Sequence, residues 1–195
     1  MNTTYDIIII GTGAGGSTLA HSLAPTGKKI LILERGDFLM RSKDNWDPEK
    51  VFRREIYHTN EKWLTKEGHE FRPGQAYVVG GNTKVFGAAL LRLRKKDFED
   101  IHYEDGVSPA WPISYEALEP HYQEAERLYF VHGQRGEDPT DPPASGPYAY
   151  PKLSQEPRMW EVFNQLKSQG LKPFHLPIGI QRFEDNLKGS PCIRC

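Results

Sequence analysis

The ten residues from Gly11 to Ala20, GTGAGGSTLA, follow the apolar run YDIIII and precede KKILILERG. No other feature constrains the fold as strongly. Tyr5 to Ile10 is apolar and β-branched, which is the composition of a buried parallel strand. Ala14 to Leu23 reads as a helix opening at the glycines. The segment PTGKK turns the chain, with Pro25 and Gly27 as breakers, and Ile30 to Leu33 reads as a second buried strand. Two parallel strands joined through a helix make a βαβ unit with a right-handed crossover.

Gly11, Gly13 and Gly16 match G-x-G-x-x-G, and each has its own task. The first permits the tight turn out of the strand, the second lets backbone approach a pyrophosphate, and the third lets helix and strand pack closely. Ala14, Gly15 and Gly16 then open the helix, where backbone N–H groups face a diphosphate. Glu34 closes the second strand, where a carboxylate can accept both ribose hydroxyls of an adenosine. The same charge repels a 2′-phosphate. Arg35 beside it invites an NADP reading, but Glu34 holds the ribose position. A nucleotide triphosphate loop is excluded, because GTGAGGST lacks the lysine that such a loop needs. The motif alone leaves NAD and FAD both open, with a ligand-free glycine turn as the plainer alternative.

Further along, DPEKVFRREIY reads as a short helix capped at Asp47 with Pro48 in its first turn, inside a long polar stretch over 37–75. Tyr77 to Val79 look extended. Leu91 and Leu93 alternate with Arg92 and Arg94 at the period of a strand, and RLRKK, 92–96, reads as a strand end with a charged edge. A helix capped by Ser114 has an apolar face of Leu118, Tyr122, Ala125, Leu128 and Tyr129, and Gly133 is expected to end it. A proline-rich loop over 133–151 and an amphipathic helix with Trp160, Phe163 and Leu166, closed by Gly170, complete the pattern.

With 25 basic and 26 acidic residues the formal charge is -1, which argues against a nucleic-acid surface. No apolar run approaches the roughly 18 residues of a membrane span. The start MNTTYDIIII lacks a basic leader, and Asp6 interrupts its apolar run, so a cytoplasmic protein without membrane association is expected. Two cysteines, Cys192 and Cys195, exclude a disulfide scaffold. The chain stops at GSPCIRC in what reads as mid-motif, so an N-terminal fragment of a longer enzyme is expected.

A second glycine motif, VVGGNTKVFGAALLRLR, bears on the choice of cofactor. Together with DIIIIGTGAGGSTLAHSLA and ILILERG it resembles the glucose–methanol–choline (GMC) oxidoreductases, over residues 5–36 and 77–133. The resemblance implies FAD, an α/β Rossmann-like FAD/NAD(P)-binding fold with a parallel sheet, and the beginning of further helical and loop elements. It implies an FAD-binding domain over 1–133, with 134–195 a proline-rich loop, helix and start of a further segment. It also implies an N-terminal part of an enzyme that passes hydride from a small-molecule alcohol to the flavin, with the final electron acceptor unassigned. On this resemblance Gly80, Gly81, Asn82, Thr83, Gly87 and Ala88 join Gly11, Gly13, Ala14, Gly15, Gly16, Glu34 and Arg35 as cofactor-binding candidates. Phe86 stands where many family members carry Asn.

The resemblance places the catalytic histidine beyond this chain. None of the seven histidines (21, 58, 69, 102, 121, 132 and 175) sits in a matching motif, so no catalytic residue is assigned. Cys192 and Cys195 form C-x-x-C. A redox dithiol, half a metal site and ordinary small residues all fit that spacing, but a zinc site wants four ligands and there is no second pair. The rival functional readings are a nucleotide-binding stub without turnover and a flavin- or NAD-dependent reductase.

Overall fold

In the computed structural model, β1 (Ile7–Ile10) and β2 (Ile30–Leu33) pair in parallel across α1 (Ala14–Leu23), so the expected βαβ unit is present. The register sets Ile7 opposite Ile30 and Ile10 opposite Leu33. It runs one step further, where the Gly11 N–H donates to the Leu33 carbonyl at 2.7 Å. The structure describes residues 4–182 and Cys192. Its compact units are Met1–Gly87 and Ala88–Cys195, a division inside the stretch the sequence assigns to one FAD-binding domain.

Burial of the first sheet departs from expectation. Ile9 is 5% exposed, but Ile8 is 59% and Ile10 86% exposed. A parallel strand is buried when both sheet faces are covered. Two strands and one helix supply cover on one side, so the remaining isoleucines meet solvent. A third extended segment runs beside the chain just after β2: Asp37 bridges Val78 in parallel, and the Val79 N–H donates to the Asp37 carbonyl at 3.0 Å. The extended stretch expected at Tyr77 to Val79 is thereby accounted for.

Between these segments the chain makes two short helical turns, Lys43–Trp46 and Glu49–Arg53. Asp47 caps the second, its carboxylate accepting from the N–H groups of Glu49 (3.0 Å) and Lys50 (3.3 Å). The helix does not continue to Tyr57, because Glu55 adopts a left-handed φ of 50° and turns the chain away. A hairpin of β3 (Trp63–Leu64) and β4 (Glu70–Phe71) follows, with Trp63 and Phe71 paired edge to face. The Arg72 guanidinium then donates to the carbonyls of Glu55, His58 and Thr59, which tethers the long polar segment.

In the second unit, the hairpin of β5 (Ile101–Tyr103) and β6 (Gly106–Ser108) precedes α2 (Tyr115–Leu128). Ser114 caps α2 by accepting from the Ala117 N–H at 3.3 Å. A three-stranded sheet has β7 (Val131–Gly133) at its centre. It is flanked by β8 (Tyr150–Pro151) in parallel and β9 (Ile178–Gly179) antiparallel. α3 (Pro157–Ser168) lies between β8 and β9 in sequence and closes with Gly170 at φ 80°.

Three local expectations fail in this unit. Gly133 does not end α2. Phe130 takes a left-handed φ of 53° first, and Gly133 sits in β7, where a Cβ would meet the Tyr148 ring at 2.6 Å. The stretch around Leu91 and Leu93 forms no ladder, and its inside and outside are reversed. Leu91 and Leu93 are 45% and 43% exposed, whereas Arg92 is 3% exposed. The most buried residues of α2 are Tyr115 and Glu126 rather than the leucines. One cause explains the last two. Arg92 donates to both carboxylate oxygens of Glu126 (2.7 and 2.8 Å), to Glu119 (3.1 Å), Gln123 (3.0 Å) and the Tyr115 hydroxyl (2.9 Å). Positions 115, 119, 122 and 126 share one helical face, so a charged stripe turns inward to meet the arginine. RLRKK is therefore an anchor, not a charged edge: Arg94 likewise pairs with Asp138 (2.6 Å) and Asp141 (3.3 Å).

Candidate functional site

The candidate site lies within the first unit and is built from three turns. The first is the loop Gly11–Gly13 at the exit of β1. Gly11 has φ 90°, a conformation glycine adopts without strain. Gly16 fits its assigned task, since a Cβ there would stand 2.1 Å from the Gly11 carbonyl oxygen. At Gly11, Gly13 and Gly15 a Cβ would meet nothing within 4 Å. The loop is thus tight where helix meets strand and open where a ligand would approach. Gly13 is the N-cap of α1, contributes no side-chain cap, and is followed by no acid in the first turn. That helix end, with Ala14 and Gly15 in its first turn, suits an anion.

The second turn follows β2. Glu34 does not extend into solvent but folds onto the glycine loop. Its Oε2 accepts from the Thr12 N–H (2.9 Å) and the Thr12 hydroxyl (2.5 Å), and its Oε1 from the N–H groups of Arg35 (2.8 Å) and Gly36 (3.0 Å). These donors, the Thr12 hydroxyl foremost, lower its pKa to about 2. Arg35 is held away from that carboxylate. Its guanidinium lies 3.7 Å over the Tyr77 ring and pairs with Glu61 at 3.3 Å.

A pKa depressed on folding contributes stability above the unfolded value and loses it as pH falls toward the folded one. Acid titration should therefore remove part of the first unit's stability between about pH 4.5 and pH 2. Glu34→Gln should flatten that part of the curve. Equal acid sensitivity in the two proteins, read by circular dichroism, would contradict the assignment.

The third turn is Gly80–Lys84, where Gly80 and Gly81 are consecutively left-handed at φ 96° and 59°. It closes on the first loop. The Gly80 N–H donates to the Thr12 hydroxyl at 2.8 Å, and a Cβ on Gly81 would lie 3.6 Å from the Gly13 Cα. Asn82 and Thr83 spend their side chains locally. Asn82 accepts from the Ala76 N–H (2.7 Å) and donates to the Gly74 carbonyl (3.0 Å), and the Thr83 hydroxyl donates to the Gly80 carbonyl. They stiffen the bend rather than offering free groups. Gly87 ends the first unit and Ala88, at φ 58°, begins the second.

The structure thus brings Gly11, Gly13, Ala14, Gly15, Gly16, Glu34, Gly80 and Gly81 into one locality. Reading by motif misses Thr12, which occupies a position the G-x-G pattern leaves open. Its signal is a hydroxyl between two glycines. Gly36, the glycine that closes ILILERG, has a steric reason: a Cβ there would meet the Tyr77 carbonyl oxygen at 2.1 Å.

Among the described residues no group of His, Cys, Asp and Glu could hold a metal ion. Cys192 is a free thiol, and Cys195 lies outside the described residues. No helix among the described residues is long and apolar enough to cross a membrane.

Residues 9–59 match the model of an NAD(P)-binding Rossmann-like domain. Paromamine 6'-oxidase from Streptomyces fradiae is 29% identical, over 91% of this chain and 31% of its own length. The fructose dehydrogenase large subunit from Gluconobacter japonicus is 32% identical, over 74% of this chain and 32% of its own. The chain spans about a third of the length of these relatives. A solved FAD-dependent oxidoreductase from Chaetomium thermophilum is 22% identical with a TM-score of 0.48, over 91% of this chain and 32% of its own.

Proposed function

We propose that this chain, whose relatives are glucose–methanol–choline oxidoreductases matched over their N-terminal part, holds the FAD of a flavin-dependent enzyme oxidising small-molecule alcohols. The observation that carries this reading is the closure of three turns on one another: an open glycine loop at a helix N-terminus, Glu34 folded beside it, and the Gly80–Gly81 bend tied to the same loop. The fit to the cofactor rests on space and chemistry together. Gly11, Gly13 and Gly15 leave a cradle that any Cβ would narrow, and Glu34 lies beside it as an ionised acceptor.

Bound FAD supplies the chemistry of accepting a hydride from an alcohol carbon. This chain's residues would bind and orient it. Backbone N–H groups of the 13–16 turn would hold the diphosphate, Glu34 would accept from the adenosine ribose, and the Gly80–Gly81 bend would admit backbone to the flavin end. The proton-accepting base is assigned to none of the residues described. The exposed isoleucines of β1 fit a sheet that gains further cover in a longer protein. A cytoplasmic location is part of the same proposal.

The test is reconstitution. The full chain mixed with FAD and desalted should retain visible flavin absorbance, whereas NAD should leave no such signal. Gly13→Ala places its Cβ in open space, so its melting temperature should fall only by the modest cost of losing a glycine N-cap while FAD affinity falls on the order of tenfold or more. Retention of no flavin by the parent chain refutes the proposal.

A further inference from the structure

We propose that Thr12 is a positioning residue of the dinucleotide site, holding the Gly80–Gly81 bend in register with Glu34 through one hydroxyl. This rests on the FAD reading above. The direction of the hydrogen bonds follows from chemistry alone. Ionised Glu34 can only accept, so the single Thr12 hydroxyl proton goes to its Oε2, at 2.5 Å. The Gly80 N–H can only donate, so it uses a lone pair of the same hydroxyl, at 2.8 Å. One side chain thereby joins segments 68 residues apart in sequence.

Glu34 is also fully engaged. Four donors meet its two oxygens: the N–H groups of Thr12, Arg35 and Gly36, and the Thr12 hydroxyl. An ionised carboxylate offers about four lone-pair sites, so a ribose diol must displace or share with one of them. Three belong to backbone whose movement would disturb β1 or β2. The Thr12 hydroxyl is the donor that can share: turning about its C–O bond frees part of Oε2 while its oxygen keeps the Gly80 N–H. Occupation of Glu34 by ribose is therefore felt at the Gly80 N–H, and order in the bend is felt at Glu34. By linkage the coupling is reciprocal.

The experiment compares FAD with ADP, which carries the adenosine diphosphate but no flavin. The full chain, Thr12→Val (same shape, no hydroxyl) and Thr12→Ser (hydroxyl kept) are titrated with each, alongside thermal melts. Thr12→Val should lower FAD affinity about tenfold, the loss of one hydrogen bond of this kind. ADP affinity should change less than about threefold, and Thr12→Ser should restore FAD binding. If Val is not accommodated in the fold, Thr12→Ala should give the same split. Parallel losses of FAD and ADP that track a lowered melting temperature would mean a purely structural role and overturn the inference. So would unchanged FAD affinity in Thr12→Val. Should the parent chain bind neither ligand, the FAD reading itself falls. If the parent binds both and Thr12→Val weakens both equally, the FAD reading survives and the coupling does not.

Discussion

Arg92→Met is expected to destabilise the second unit by about 3 kcal/mol, the low end of the cost of breaking a buried ion pair, because Glu126 keeps a second cation. Arg92 is 3% and Glu126 5% exposed. The pair is bidentate, and Arg92 also binds Tyr115, Glu119 and Gln123, so five donor–acceptor contacts disappear together. Burial opposes the guanidinium's charge, yet its bonds to Glu126, Tyr115 and Glu119 outweigh that, and its pKa lies above the usual arginine value. Methionine fills similar volume but takes no part in this network. Glu126 keeps Arg135, at 2.7 Å, as its remaining cation. Arg92→Met/Glu126→Gln should consequently cost less than the sum of its single changes, by about 1–3 kcal/mol. Urea unfolding followed by tryptophan fluorescence provides the measurement. A loss below about 1 kcal/mol for Arg92→Met would show a solvated, dispensable cluster.

Gly36→Ala is expected to cost about 3 kcal/mol and to weaken nucleotide binding with it. An added Cβ would stand 2.1 Å from the Tyr77 carbonyl oxygen, 2.2 Å from its carbon and 2.4 Å from the Val78 nitrogen. All three are main-chain atoms, so no side-chain rotation relieves the clash. The strand segment at 77–79 must retreat, and several site contacts depend on it. Arg35 stacks on Tyr77, Val79 pairs with Asp37, and the Gly36 N–H itself holds Glu34 Oε1. Gly15→Ala is the control for stability alone, because it adds a Cβ in open space in the first turn of α1. It should gain up to about 1 kcal/mol from helix propensity. Equal melting temperatures for Gly36→Ala and its parent would show that the segments are not packed as described.

Much of the site is legible in short stretches of sequence. The strand, glycine turn, helix and second strand are marked by local cues, and β1, α1 and β2 sit where those cues put them. Ser114, Asp47 and Gly170 act at the helix ends where their chemistry predicts. Other features escape such cues for a common reason. A leucine–arginine alternation implies leucine inside, but Arg92 finds carboxylates enough on α2 to reverse it. Gly133 has the setting of a helix stop because glycines often are, whereas a tyrosine ring fifteen positions later decides its place.

The amino-acid order by itself determined the βαβ unit and the open glycine loop, because periodicity and the steric freedom of glycine act over a few neighbouring residues. Tertiary structure alone decided which groups meet: Thr12 between Glu34 and Gly80, Gly36 beneath Tyr77, and Arg92 against Glu126. Those contacts join residues 22 to 68 positions apart. Their geometry depends on how separate segments pack, which no short stretch of chain encodes.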